Sequence, residues 1–220
     1  MVNGFKTILP PGAATAVPAV ALFLTTLTVE SARAQQENTP LVGSLPLDSL
    51  AALISTAEQG DAAAQVSLGD MYLSGDGVPE DDSEAVRWYR AAAGQGYARA
   101  QFNLGLMYAN GQGVSENDAE AVRWYRVAAE QGLDRAQFSL GEVYANGEGV
   151  LENDVLAYGW FNLAGAQGHE RAREAKDQLS RQMTCEQVAR AQELSVELLR
   201  TIDQRQSLPE SLRFGVIRNT

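Results

Sequence analysis

Apolar residues return along this chain at spacings that a helix satisfies, and the same set returns three times. Ala64, Leu68 and Tyr72 stand at i, i+4 and i+8, one stripe of an α-helix. Ala85, Trp88, Tyr89 and Ala92 stand at i, i+3, i+4 and i+7, a second helical face. Both sets recur 36 residues later, as Ala100, Leu104, Tyr108 and Ala121, Trp124, Tyr125, Ala128. They recur again as Ala136, Leu140, Tyr144 and Ala157, Trp160, Phe161, Ala164. Units 57–92, 93–128 and 129–164 therefore each predict a pair of helices, A and B. Units one and two are identical at 23 of 36 positions and units two and three at 21, which is duplication rather than chance. A period in the thirties predicts a stacked helical array.

The link between the helices is written almost identically each time: "LGDMYLSGDGV", "LGLMYANGQGV" and "LGEVYANGEGV". Gly75, Gly111 and Gly147 fall where helix A ends with positive φ, and Gly77, Gly113 and Gly149 turn the chain back. Val78, Val114 and Val150 tuck beneath the turn. Asp82, Asp118 and Asp154 are expected to cap helix B. Gly69, Gly105 and Gly141 sit inside helix A despite a cost of about 1 kcal/mol against Ala, which predicts close approach by a neighbouring helix. Tyr72 and the three tryptophans, at helical spacing with Leu and Ala, read as core.

The run A-x-x-x-L-G-x-x-Y-x-x-G-x-G-V followed by D-x-x-x-A-x-x-W-Y-x-x-A-A-x-x-G resembles the Sel-one-like repeat, a relative of the tetratricopeptide repeat with a longer loop. In unit two it reads "AQFNLGLMYANGQGVSENDAEAVRWYRVAAEQG". Unit three departs from it, with Gly159 in place of the Arg before Trp and Phe161 in place of Tyr. The resemblance covers residues 57–170. It implies an all-α, right-handed α-α superhelix, a solenoid of stacked helical hairpins that serves as an interaction scaffold without catalytic residues.

The ends predict caps for that solenoid, which spans 48–182. Leu50, Leu53, Ile54 and Ala57 form one face of a leading helix after a capping Asp48. Beyond unit three, Gly168 and Ala172 keep the phase, but Lys176 and Asp177 replace the Leu and Gly, as a degenerate cap would. Thr184 and Gln187 form a capping box that opens a C-terminal helix, within 183–204. Residues 35–47 and 205–220 show no sustained periodicity and read as a flexible lead and tail.

Composition narrows the function classes. The chain has 220 residues and a formal charge of -11, which argues against nucleic acid, because phosphate binding needs clustered Lys and Arg. Lys6, the apolar run "AVPAVALFLTTLTV" at 16–29 and "ARA" at 32–34 read as a signal peptide cleaved after Ala34. The run is short for a membrane span. The expectation is a periplasmic or secreted protein with no membrane insertion after cleavage; the alternative is an uncleaved anchor.

No catalytic, cofactor-binding or metal-ligating constellation is legible. Cys185 is the only cysteine, so no internal disulfide can form. His169 is the only histidine, at a position held elsewhere by Asp61, Tyr97 and Leu133, which looks unconstrained. A Cys185–His169 dyad would need an orienting third group. The acidic loops "PEDD", "SEND" and "LEND" lack the alternating oxygen ligands of a calcium loop, and helix capping accounts for them.

A binding face is legible. On a helical wheel, the side of helix A away from the apolar stripe collects Ala63, Ser67 and Asp70, then Arg99, Asn103 and Leu106, then Arg135, Ser139 and Glu142. These positions vary between units while the packing positions do not. In such arrays the A helices line the concave surface. The expectation is a monomeric scaffold that binds a protein or peptide partner in the cell envelope, with a regulator of an envelope sensor as its sharper form. A solvated face without a ligand is the plain alternative. A cell-wall glycan module would need exposed aromatics on this face, and a hydrolase would need chemistry that the chain does not display.

Overall fold

The computed structural model describes residues 47–208, and among them every element is a helix. α1 (Leu47–Glu58) leads into three hairpins: α2 (Ala62–Ser74) with α3 (Asp82–Gly94), α4 (Ala98–Asn110) with α5 (Asp118–Ala129), and α6 (Asp134–Asn146) with α7 (Asp154–Ala166). α8 (Glu170–Ser180) and α9 (Cys185–Ser207) follow. Each helix from α1 to α7 packs on the next, and α9 returns to lie on α7. The result is an all-α repeat solenoid. The expected leader, most of the flexible lead, and the tail from residue 209 lie outside the described residues.

The core is a series of linked clusters rather than one centre, as expected when units contact only their neighbours. Ala57, Leu68 and Trp88 join α1, α2 and α3. Tyr89, Ala100 and Leu104 join the first hairpin to α4. Leu140, Trp160 and Ile202 join α5, α6, α7 and α9. Trp88 and Trp160 are buried, whereas Trp124 is half-buried against the cluster between units one and two. Tyr72, Tyr108 and Tyr144 are half-buried too. The Tyr108 and Tyr144 hydroxyls accept from Arg90 (3.2 Å) and Arg126 (2.8 Å) of the preceding helix B, so these rings join units while their tips reach solvent.

The mid-helix glycines have a specific cause. A Cβ on Gly69, Gly105 or Gly141 would stand 2.7, 2.6 or 2.5 Å from the ring of Tyr89, Tyr125 or Phe161. The aromatic of helix B sets its Cδ1 and Cε1 atoms against the glycine of its own helix A, so the close approach is made by a ring.

The connecting loops differ from expectation at one point. The residues with extended backbone before helix B are Asp81, Asn117 and Asn153, and their side chains accept from N–H groups of the first turn. Asp82, Asp118 and Asp154 are the first residues inside the helix, where their charge faces the positive end of the dipole. The cap thus lies one residue earlier, because only there is the backbone extended enough to fold its oxygen over the helix end. The backbone N–H groups of the same three residues reach back to the carbonyls of Tyr72, Tyr108 and Tyr144, at 2.8–2.9 Å, closing the loop. Asp48 likewise is the second residue of α1 rather than its cap. Gly75, Gly111 and Gly147 end helix A at φ 73°, 66° and 73° as expected. The second glycine has an additional reason: a Cβ on Gly113 would collide with the Asp82 carbonyl, and one on Gly149 with Asp118. The second and third loops therefore rest on the start of the previous unit's helix B.

Thr184 and Gln187 form the expected capping box, and α9 runs on to Ser207. Where α3 and α5 carry Arg87 and Arg123, stacked over Trp88 and Trp124, α7 carries Gly159, beside Leu194 and Leu198 of α9. Val155 and Tyr158 likewise meet Val188 and Ala191 of α9. At its far end α9 reaches the C-terminal end of α5, where Arg205 pairs with Glu130 and the Gln206 amide donates to the Gln131 carbonyl (2.9 Å). The departures of unit three from the repeat make the seat for this helix.

Two substitutions, with Gly94→Ala as a control, test these contacts. Gly105→Ala improves intrinsic helix propensity yet is expected to destabilise the chain by about 1–3 kcal/mol, since the added methyl meets a ring held on all sides. Gly94→Ala, with open space around its Cβ, is expected to be neutral or stabilising by up to about 1 kcal/mol in the same melting experiment. Gly159→Arg restores the repeat consensus and is expected to cost about 1–3 kcal/mol while raising amide hydrogen exchange along α9. Unchanged protection of α9 would show that the helix does not depend on that seat.

Candidate functional site

The residues chosen from the wheel sit on α2, α4 and α6, and two adjoining grooves take in most of them. The first, about 520 Å³, is lined by Asp70, Arg99, Asn103, Leu106 and Arg135, with Tyr89, Phe102 and Leu133 among its walls. The second, about 160 Å³, is lined by Leu106, Ser139 and Glu142, with Tyr125 and Glu148 beside them. Leu106 belongs to both. Ser67 lines neither groove; its hydroxyl donates to the Ala63 carbonyl one turn back (3.0 Å).

Asp70 organises the first groove. Its Oδ1 accepts from the Tyr89 hydroxyl (2.7 Å) and the Asn103 amide (3.2 Å), and its Oδ2 from Arg99 (2.5 Å). One carboxylate thereby joins both helices of unit one to helix A of unit two. Burial, then the bond to Asp70, pushes the Tyr89 hydroxyl well above its ordinary range, so it remains a donor. Arg135, in the same groove, is exposed and has no ion-pair partner among the described residues.

In the second groove Glu142 pairs with Arg171 of α8 at 3.7 Å. Burial holds the Glu142 carboxyl above the ordinary range; Arg171 opposes this and Glu148 adds to it. The Tyr125 hydroxyl is pushed up to about 12 by burial and by the nearby carboxylates of Glu142, Glu148 and Asp118. Among the described residues no three His, Cys, Asp or Glu side chains gather as a metal site would require. Nor is any described helix long and apolar enough to cross a membrane.

His169 is not at an unconstrained position. It caps α8, its Nδ1 accepting from the Ala172 N–H (3.2 Å), and its ring stacks on Phe138 at 4.6 Å. Cys185 is exposed at the first position of α9.

Behind the grooves runs a buried polar seam that the sequence reading missed. Gln65, Gln101 and Gln137 are all buried. Each donates to a carbonyl at the end of the preceding helix: Ala57 (3.0 Å), Ala93 (3.2 Å) and Ala129 (3.2 Å). Each accepts in turn from the glutamine thirty residues on: Gln95, Gln131 and Gln167. At the next register position Arg173 donates to the Gly165 carbonyl (2.8 Å). The signal was present, because both glutamines recur in all three units beside alanine or glycine. Phe102 and Leu133 were missed for a different reason: a wheel centred on helix A alone does not show walls supplied by packing residues and helix starts.

A Sel1 repeat model matches residues 62–97, 98–133 and 134–169. The crystal structure of a Sel1 repeat protein from Oxalobacter formigenes is 44% identical to this chain, covering 60% of this chain and 99% of that one, with a TM-score of 0.56. This chain belongs to the Sel1 repeat family. The three matched Sel1 repeats each run from the first residue of one helix A to the residue that precedes the next, Tyr97, Leu133 and His169. A second solved structure, a protective antigen present in uropathogenic Escherichia coli strains and displaying an SLR fold, is 37% identical with a TM-score of 0.64. It covers 71% of this chain, and this chain spans about a third, 35%, of that Sel1-like repeat protein. Comparison with the curated proteins yields no match.

The electrostatics of Glu142 can be read through stability. A carboxyl whose folded value is raised weakens the fold above that value, and the effect disappears once folded and unfolded states are both protonated. Glu142→Gln is therefore expected to raise Tm at about pH 7, with the gap to the native chain closing toward about pH 3. A native chain that melts higher than the variant at neutral pH would mean that the Arg171 pair outweighs burial.

Proposed function

We propose that the chain binds an extended segment of a protein partner along the A-helix side of its Sel1 repeats. Proteins of this family act generally as protein–protein interaction scaffolds, so the scaffold role comes with membership. The observation that supports this particular surface is the sorting of positions. Residues repeated in every unit are consumed by the apolar clusters, the ring-on-glycine contacts, the glutamine seam and the loops. Those that differ between units, such as Asp70, Arg99, Leu106 and Arg135, gather along one groove. A ligand lying along it would touch three helices at once and meet Asp70 on the first, Leu106 on the second and Arg135 on the third. That is how a repeated fold acquires a specific partner.

The leader expected over residues 1–34 supports an encounter in the cell envelope, with an extracytoplasmic portion of a membrane sensor as the sharper form. The absence of a recognisable nucleophile, metal cluster or phosphate loop among the described residues supports binding rather than catalysis.

The test compares two charge reversals in partner capture from envelope extract. Arg99→Glu with Arg135→Glu alters the groove, whereas Arg87→Glu with Arg123→Glu alters the B-helix side. The groove variant is expected to lose the captured partner at least about tenfold while the B-helix variant retains it. Equal retention by both variants would reject this surface, and sedimentation of the chain with purified wall material would move the reading to a glycan ligand.

A further inference from the structure

Register across the units isolates one side chain in the groove. Each helix A opens with a position filled by Ala63, Arg99, Arg135 and Arg171, 36 residues apart. Seven residues further along each helix stands a second position, filled by Asp70, Leu106 and Glu142. The acid of one unit pairs with the arginine of the next: Asp70 with Arg99 at 2.5 Å, and Glu142 with Arg171 at 3.7 Å. Between these two pairs the rung is broken, because Leu106 stands where the acid belongs. Arg135 consequently carries a positive charge with no ion-pair partner among the described residues, in the groove that Leu106, Phe102 and Leu133 floor with apolar surface.

We infer that Arg135 is the anchor for an aspartate or glutamate side chain of the partner, which completes the broken rung from outside while an adjacent apolar residue covers Leu106. This inference rests on the binding surface proposed above and names the chemistry that the surface selects. The pairs on either side show which chemistry suits this row, a side-chain carboxylate of one register position set against a guanidinium of the next, and a guanidinium can donate to such a carboxylate through two N–H groups. Leucine at position 106 both withholds the internal competitor and supplies an apolar contact beside the charge. Asn103, held by its bond to Asp70, stands next to that contact with an amide suited to a peptide main chain. The chain's net charge of -11 opposes the approach of an acidic segment in general, so an acidic ligand needs a local, unpaired cation such as Arg135 to hold it.

The experiment selects a displayed library of randomised octapeptides against the full chain, then measures the selected peptides by fluorescence anisotropy. A photo-crosslinking version of each peptide is mapped by mass spectrometry. Support consists of peptides carrying Asp or Glu beside an aliphatic or aromatic residue, crosslinked to α4 or α6. These should bind about tenfold more weakly to Arg135→Ala and to Leu106→Asp, and unchanged to Arg171→Ala. Leu106→Asp keeps Arg135 and introduces the residue type that unit one already holds there, so its loss reports competition by an internal carboxylate; melting curves confirm that each variant folds. Selected peptides that crosslink to α4 or α6 without an acidic preference, or whose binding survives Leu106→Asp, overturn the inference and leave the groove reading standing. Peptides that crosslink elsewhere, or a library that yields none, overturn both. Self-association lost on Arg135→Ala would name a second copy of the chain as the occupant and also overturn the proposal.

Discussion

The contact on which the structure depends is an aromatic ring laid on a helix at a residue with no side chain. Tyr89 on Gly69, Tyr125 on Gly105 and Phe161 on Gly141 bring helix B so near to helix A that a single methyl group could not be accommodated. Glycine inside a helix is unfavourable by about 1 kcal/mol, and the chain accepts that three times. The return is a large ring buried on a flat surface, and the buried edge of each ring also fixes the rotation of helix B about its axis. Once rotation is fixed, Trp and Ala of helix B face the core and the next unit has one way to stack. The hairpin is set by this contact, and the solenoid is built from hairpins.

Stacking adds a second kind of constraint. Apolar clusters between units would tolerate sliding by a residue or a small turn, since packing of Ala, Leu and Trp is not directional. The buried glutamines are directional. Each satisfies a carbonyl at the end of the preceding helix and accepts from a glutamine on the following turn, so a shift in register would leave amides buried and unpaired, at about 1–3 kcal/mol for each group. The loops act in the same sense, since Gly113 and Gly149 allow backbone to touch backbone where one unit meets the previous one. Apolar cluster, ring, seam and loop together account for nearly every repeated position, and what they leave unused is the outward side of helix A.

Much of this was legible in the sequence because duplication separates constrained positions from free ones without any other chain for comparison. The helices, the left-handed glycines that end helix A and the capping box at Thr184 follow from local chemistry. The cap of helix B was misplaced by one residue because Asp81–Asp82 and Asn117–Asp118 each offer two adjacent candidates, and backbone extension rather than residue type decides between them. The docking of α9 was not legible as a contact, since it joins segments far apart in the chain. Its trace was visible all the same. Glu84, Arg87 and Arg90 of unit one become Leu156, Gly159 and Asn162 in unit three, a polar stripe rewritten as a seat. His169 was misjudged because the same position holds three other residue types. Tolerance of substitution there means that a cap is optional, and it does not mean that histidine has no role when present.

The two sides of the array are thus disposed of differently. On the B-helix side, α9 covers α7 and reaches the end of α5 through Arg205 and Gln206, so apolar surface there is already occupied from within the chain. On the A-helix side, the groove keeps Leu106, Phe102 and Leu133 open beside charged groups, and among the described residues no segment folds over them. An apolar floor left uncovered loses the free energy that burial would return, and the chain evidently has the means to cover such a floor, since it does so with a twenty-three-residue helix on the other side. The same reasoning applies to charge. The acid–arginine pairs at either end of the row show that the repeat can satisfy its guanidinium groups internally, and at Arg135 it does not. A fold that closes one face and leaves the other both apolar and electrostatically incomplete has its binding surface assigned by what its own packing leaves unsatisfied.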